Sequence, residues 1–343
     1  MSRFEPVRIA LAGAGAMGQN HIRMINAEPR TSLVAIADPA PQAQALADAN
    51  DVPLFADVEA MLDEVKPDGI IIASPNRLHI PNAYAALSSH VPALIEKPLS
   101  DDIDAAQKFV KDVKNSDVKF LVGQHRRHNP RVRKAKEIVA SGALGQLVTI
   151  SLHYMVYKPD NYFDVEWRRQ KGAGPILVNM VHDVDLLRYL IGEPSEIQAF
   201  SSSAARGFET EDSAVVNIRF DNGALGAITL SDASVSPWNW EATAREDPFY
   251  APFDADAFLI SGTKGALTLP RLHLFSYDGE SSWTKPLDCE IKGVKDAQPH
   301  AEQLKHFCDV IEGKVEPLVT PEDAMRTLEA LNRIKRAADS GSK

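Results

Sequence analysis

The sequence predicts an α/β protein in two parts: a doubly wound parallel sheet, then an α+β domain whose sheet is mainly antiparallel. Three observations carry this. Over the first 125 residues short apolar runs alternate with helix-like segments, and a glycine triplet joins the first run to the first helix. After about residue 145 the pattern changes to successive β-rich runs separated by turn signals.

Strands are expected at 7–13 (VRIALAG), 32–38, 69–73, 91–96 and 118–123, with helices between them at 57–65 and 101–114. Ser100 is the expected N-cap of the latter. Further strands are expected at 147–155, 196–202, 213–220, 224–232, 256–261, 265–269 and 272–277, with Asp221-Asn222-Gly223 turning one pair into a hairpin. A helix over 176–191 carries Leu177, Met180, Val181, Val184, Leu187 and Ile191 on its apolar face, with Asn179, His182 and Asp185 beside them. Helices at 300–312 and 321–338 close the chain, the second opened by Thr320-Pro321-Glu322-Asp323. The expected domains are 1–125 and 126–343. The loop 236–255 is long and aromatic, a length that marks function or disorder.

A chain of 343 residues with 44% hydrophobic content can fill two cores. Forty-seven acidic against 37 basic side chains give a net charge of −10, which argues against nucleic acid or membrane as partners. The basic cluster Arg126, Arg127, Arg131, Arg133, Lys134 and Lys136 reads as the solvated start of a helix. Only Cys289 and Cys308 are present, without metal-ligand spacing, so no metal site is expected. The absence of a leader-like start and of a long apolar run gives the expectation of a cytoplasmic protein.

Gly13, Gly15 and Gly18 form G-x-G-x-x-G between a strand and a helix, with Ala16 and Met17 at the helix start. The first glycine makes the turn, the second admits a pyrophosphate and the third lets helix meet strand. Asp38, at the end of the second strand, can accept the ribose hydroxyls. Because a carboxylate repels a 2′-phosphate and Pro39-Ala40 offer no cation, NAD is expected rather than NADP. Ser74, Pro75 and Asn76 leave the strand at 69–73 on the same sheet edge, where a dinucleotide lies, with His79 following; a plain turn with an exposed His is the alternative. The run Ala93-Leu94-Ile95 ends on Glu96-Lys97-Pro98, placing a lysine at the open end of the sheet.

Together "ASPNRLH", "EKPLS", "RRHNP" and "GAGPILVNMVHDVDLLRYLIGEP", in this order after the glycine motif, resemble the glucose-fructose oxidoreductase and inositol dehydrogenase family of NAD(P)-dependent enzymes. The resemblance covers most of the chain. It implies that Lys97 is catalytic beside the nicotinamide with Glu96 at its flank, that Lys97-Pro98 is cis, and that His182 is Lys97's partner. It implies an open-faced second sheet that receives substrate on one side and builds a homodimer or homotetramer on the other. Arg127 and Trp167-Arg168 match family positions near substrate and cofactor. Tyr157, Tyr162, Trp238 and Trp240 are either pocket or core. The family's helix carries an aspartate four residues before the histidine, where this chain has Val178, so Asn179 is expected to position the substrate without taking up a proton. The implied activity is NAD-dependent oxidation of a hydroxyl on a sugar, polyol or cyclic diol, with a dihydrodiol dehydrogenase of aromatic catabolism or a non-catalytic sensor as alternatives.

Overall fold

The computed structural model describes residues 5–341, which cluster into two compact units. The first begins with β1 (Val7–Ala12), α1 (Ala16–Ala27), β2 (Thr31–Ala37), α2 (Ala43–Ala49), β3 (Leu54–Phe55) and α3 (Val58–Val65). It continues through β4 (Gly69–Ile72), α4 (His79–Ser88), β5 (Ala93–Ile95), α5 (Ile103–Val113) and β6 (Phe120–Val122). The strands form one parallel sheet in the order β3-β2-β1-β4-β5-β6, the direction of winding reversing between β1 and β4. Ile9, Leu11, Ile70, Ile71 and Ile72 are all 0% exposed. Such unbroken apolar runs are what a sheet covered on both faces requires. The N-cap of α5 is Asp102, not Ser100: its carboxylate accepts from the N–H of both Asp104 and Ala105, while the Ser100 hydroxyl accepts from Asp102.

The second unit holds α6 (Pro130–Ala140), β7 (Leu147–Met155), α7 (Pro175–Val178), α8 (Val181–Leu190), β8 (Pro194–Ser202), β9 (Ser213–Phe220), β10 (Leu225–Ser231) and α9 (Trp240–Ala244). Then come β11 (Phe258–Gly262), β12 (Gly265–Leu269), β13 (His273–Ser276) and β14 (Asp288–Ile291). Its sheet runs β14-β13-β12-β11-β7-β10-β9-β8 and is antiparallel except where β10 lies parallel to β7. Ile150, Leu152 and Tyr154 of β7 are buried in the unit's core along with Val216, Ile218, Ile228 and Leu230. The alternate positions, among them Phe200, Val215, Leu225 and Leu259, remain exposed, so one face of the sheet is open. Strand β14 was not among the expected strands: its Asp-Cys-Glu-Ile alternation is only four residues long, and all four residues are exposed.

Two expectations change here. The helix foreseen over 176–191 is broken into α7 and α8, with Asn179 as the C-cap of α7. Asn179 keeps right-handed backbone angles, and at the break its N–H and that of Met180 both reach the Pro175 carbonyl at 3.1 Å. Arg126 and Arg127 are not solvated: they are 3% and 4% exposed, in a 3₁₀ turn, and Arg127 pairs with Asp323. Of the rest of that cluster, Arg131 pairs with Asp296 and Lys134 with Glu137, so no basic patch forms there.

Where one boundary near residue 125 was expected, the first unit is discontinuous. It ends at His128 and resumes over Gln298–Leu328, taking in α10 (Pro299–Ile311) and the start of α11 (Pro321–Gly341). Leu304, Phe307 and Cys308 of α10 belong to the same buried cluster as Ile9 and Ile70. A Cβ on Gly69 would meet Ile311 Cδ1 at 2.5 Å and Phe307 Cζ at 3.2 Å, so α10 packs directly on the start of β4. No helix among the described residues is long and apolar enough to cross a membrane.

Replacing the fully buried Phe307 by Ala should destabilise the first unit by about 3–5 kcal/mol. Urea unfolding followed by circular dichroism measures this as a lowered midpoint. An unchanged midpoint would show that α10 is no part of the core.

Candidate active site

The turn from β1 into α1 is built on backbone proximity. Gly13 has φ +97°, and a Cβ there would sit 2.6 Å from the Ala73 oxygen and the Ser74 nitrogen. A Cβ on Gly18 would lie 2.0 Å from the Gly13 oxygen. At Gly15 nothing lies within 4 Å, so space opens at the one position where a phosphate must approach the backbone. Gly15 is also the N-cap of α1 and supplies no side-chain bond, which leaves the first N–H groups, those of Ala16 and Met17 among them, facing outward. Asp38 is anchored beside this loop: Oδ2 accepts from the Ala14 N–H at 2.7 Å and Oδ1 from the Ala40 N–H at 2.8 Å. Each carboxylate oxygen keeps a further lone pair for a ribose hydroxyl. Pro39 and Ala40 are exposed and place no cation there. These residues fit a bound dinucleotide.

The neighbouring strand ends make the rest of this edge of the sheet. Pro75 and Asn76 are exposed, and the Ser74 hydroxyl accepts from Asn82. His79 is neither exposed nor open to a cofactor. It is 1% exposed, with Nδ1 2.8 Å from the Pro98 oxygen and Nε2 2.9 Å from the Ser74 oxygen. Its part is to clamp the loop after β4 to the loop after β5. The Lys97-Pro98 bond is cis, as the resemblance implied.

Glu96 likewise points inward. It is 5% exposed, its Oε1 2.8 Å from His21 Nε2 and its Oε2 accepting the Lys97 N–H at 3.2 Å. Burial pushes this carboxyl up, but the bond to His21 and the positive charges of His21, His300 and Lys97 outweigh it and hold the pKa below the ordinary value. A Cβ on Gly123 would meet the Glu96 carboxyl carbon at 3.2 Å, so the glycine makes room for it. His300 meets His21 edge-on, and His125 stacks on His300 at 4.1 Å. Burial, then the charges of His300, Arg126, Lys97 and His128, pushes His125 well below the usual histidine value. Half-buried Lys97 therefore leaves β5 with its backbone tied to a buried carboxylate and its charge felt by both Glu96 and His125.

In the second unit Asn179 and His182 are half-buried on either side of the helix break. The structure adds a residue that sequence reasoning missed. Lys158, 9% exposed, donates from Nζ to Asn179 Oδ1 at 2.9 Å and to Asp232 Oδ2 at 3.1 Å. Arg206 Nε reaches the other Asp232 oxygen at 3.1 Å. Burial, reinforced by the charges of Arg206 and Arg168, holds Lys158 below the ordinary lysine pKa although Asp232 opposes this. Lys158 and Arg168 both lie over the ring of Tyr162, and Arg168 donates to the Tyr162 carbonyl. Tyr157 and Trp167 are about half exposed, and Arg206 lies over the Tyr157 ring. Trp240 is core at 1% exposure, whereas Trp238 is half exposed. Arg127 is committed to Asp323 in the first unit. Lys158 could have been noticed only as a lysine between Tyr157 and Pro159, and His21 only as a histidine three residues after Gly18.

Comparison with known proteins agrees with this geometry. Residues 7–124 match the oxidoreductase family model with an NAD-binding Rossmann fold, and residues 132–268 match the GFO/IDH/MocA C-terminal domain. A 1,5-anhydro-D-fructose reductase of Ensifer adhaerens is 26% identical over 298 residues, 83% of this chain and 81% of the reductase. The NAD+-dependent scyllo-inositol 2-dehydrogenase of Bacillus subtilis (strain 168) is 25% identical over 338 residues, 94% of this chain and 91% of that enzyme. The crystal structure of the WlbA dehydrogenase from Bordetella pertussis, in complex with NADH and UDP-GlcNAcA, superposes with a TM-score of 0.76 at 24% identity over 98% of both chains. The chain thus belongs to the glucose-fructose oxidoreductase, inositol dehydrogenase and MocA family of oxidoreductases, with NAD as the cofactor of its Rossmann domain.

Proposed function

We propose that this protein transfers hydride between NAD and a hydroxyl-bearing carbon of a sugar, polyol or cyclic diol, with Lys97 and His182 handling the proton. The observation that carries this is the mounting of Lys97. The residue sits at the C-terminal end of β5, one strand from β4, on the sheet edge where the glycine loop leaves β1. Ligands of open α/β sheets bind at that edge, at the point where the winding reverses. The buried Glu96 fixes the lysine's backbone.

Oxidising a secondary alcohol breaks its C–H and O–H bonds and forms a carbonyl. A bound NAD would supply the hydride acceptor in its nicotinamide ring. The hydroxyl proton goes to Lys97 in its neutral amine form, which becomes the ammonium, with the His182 imidazole as its partner, and the reverse reaction returns the proton from that ammonium. Val178 cannot join such a relay, and Asn179 can only donate or accept a hydrogen bond. The relatives named for sugar-like and inositol substrates support the substrate class. The open sheet face of the second unit, with Phe200, Val215, Leu225 and Leu259 exposed, supports assembly into a homo-oligomer through it.

A panel of sugars, inositols and cis-diols, followed by NADH absorbance at 340 nm, tests the assignment. Turnover of none, with NAD still bound, would leave a sensor. Lys97→Ala should lower turnover by about 10²- to 10⁴-fold while NAD affinity changes far less. Near wild-type turnover would instead make Lys97 a structural contact. Calorimetric titration should show NAD binding about tenfold or more tighter than NADP, because Asp38 cannot accept a 2′-phosphate. Equal affinities would remove Asp38 from the ribose site.

A further inference from the structure

The side chain of Asn179 does not face the substrate region with both of its functions available. Its Oδ1 is taken by the Lys158 ammonium at 2.9 Å. An ammonium has three donors and no acceptor, so the carboxamide can present only its oxygen to it, and the amide is prevented from flipping. Lys158 is in turn held from behind by Asp232 and flanked by the Tyr162 ring, 5.0 Å from Nζ to its centroid. The Lys158 N–H also donates to the Asp232 carbonyl, and Arg206 donates to the Lys158 carbonyl. Backbone and side chain of Lys158 are thus both fixed. Among the described residues no acceptor engages the two amide hydrogens of Asn179, whose side chain is only partly buried.

We propose that Lys158 is a positioning residue: it turns Asn179 into an obligatory donor, so the substrate oxygen recognised there must accept. A carbonyl oxygen meets that demand directly. A hydroxyl meets it only with its own hydrogen turned away from Asn179, which leaves that hydrogen for the group that removes it. The same arrangement suits a helix without an acid at position 178, because the orienting charge comes from the segment that follows β7 instead of the preceding helical turn. The inference rests on the reading that Asn179 faces substrate.

Two measurements test it, and the first needs no substrate. In protein carrying ¹⁵N in its asparagine side chains, the Asn179 amide signal is identified as the one lost in Asn179→Ala. Lys158→Met should shift that signal more than any other asparagine's, and an unmoved signal would overturn the contact itself. The second uses the panel compound that wild-type protein oxidises. Lys158→Met should raise KM about tenfold, the loss of one positioned hydrogen bond, with a smaller change in kcat. Added to Asn179→Ala it should do nothing further, within about twofold, since both remove one interaction. Full additivity would make Lys158 a packing residue and overturn the proposal. Asp232 keeps Arg206 as its partner in the variant; should Lys158→Met still fail to fold, Lys158→Gln goes through the same cycle with the same two criteria. If no compound is turned over, the dehydrogenase reading falls while the spectral test still decides the contact.

Discussion

The approach of Gly18 to Gly13 is the constraint on which the cofactor half of the molecule depends. With 2.0 Å between a Cβ at 18 and the Gly13 oxygen, only glycine lets α1 start so close to β1. Gly13 then packs against Ala73 and Ser74, which binds the β1 turn to the end of β4. The anchoring of Asp38 to the Ala14 N–H follows from the same turn, since that N–H must face the end of β2. One backbone contact therefore sets the direction of the helix N-terminus, the location of the acid and the spacing of the two central strands.

What the sequence made legible was whatever local chemistry determines. Apolar runs identified β1, β2 and β4 to within a residue at each end, and Asp221-Asn222-Gly223 gave the β9–β10 hairpin, with Gly223 at φ +87°. The glycine loop was equally readable, whereas the cis bond after Lys97 was implied by the family resemblance alone. Illegible were the roles that depend on partners far along the chain. His79 read as a cofactor-side residue or an exposed turn histidine because its partners, Ser74 and Pro98, are carbonyls that no residue type announces. Arg127 looked solvated because Asp323 is 196 positions away. The break at Asn179 could not be foreseen because it lies in the backbone, where the N–H groups of Asn179 and Met180 share the Pro175 carbonyl.

Each unit meets the cost of buried charge in the same manner. A buried ion is tolerated when its hydrogen-bonding capacity is filled by partners of opposite sign. Glu96 does this with His21 and the Lys97 N–H, Lys158 with Asp232 and an amide oxygen. In each case the charge that faces inward fixes a neighbour that faces outward: Lys97 in one unit, Asn179 in the other. Truncating Glu96 or Asp232 would leave a charge uncompensated, so their loss should be read as a folding defect before a catalytic one.

The return of α10 to the first unit has a bearing on how the protein is made. A nascent chain exposes β1 through β6 early, yet Leu304, Phe307 and Cys308, which seal the same cluster as Ile9 and Ile70, leave the ribosome only after the whole of 129–297 has been synthesised. Until then the apolar surface at the start of β4 stays wet. The usual vectorial order, first domain finished before the second begins, is closed to this topology. The second unit has its sheet complete while the first still waits for its last helix, and that interval is when the unfinished sheet is most exposed to chaperones and to self-association.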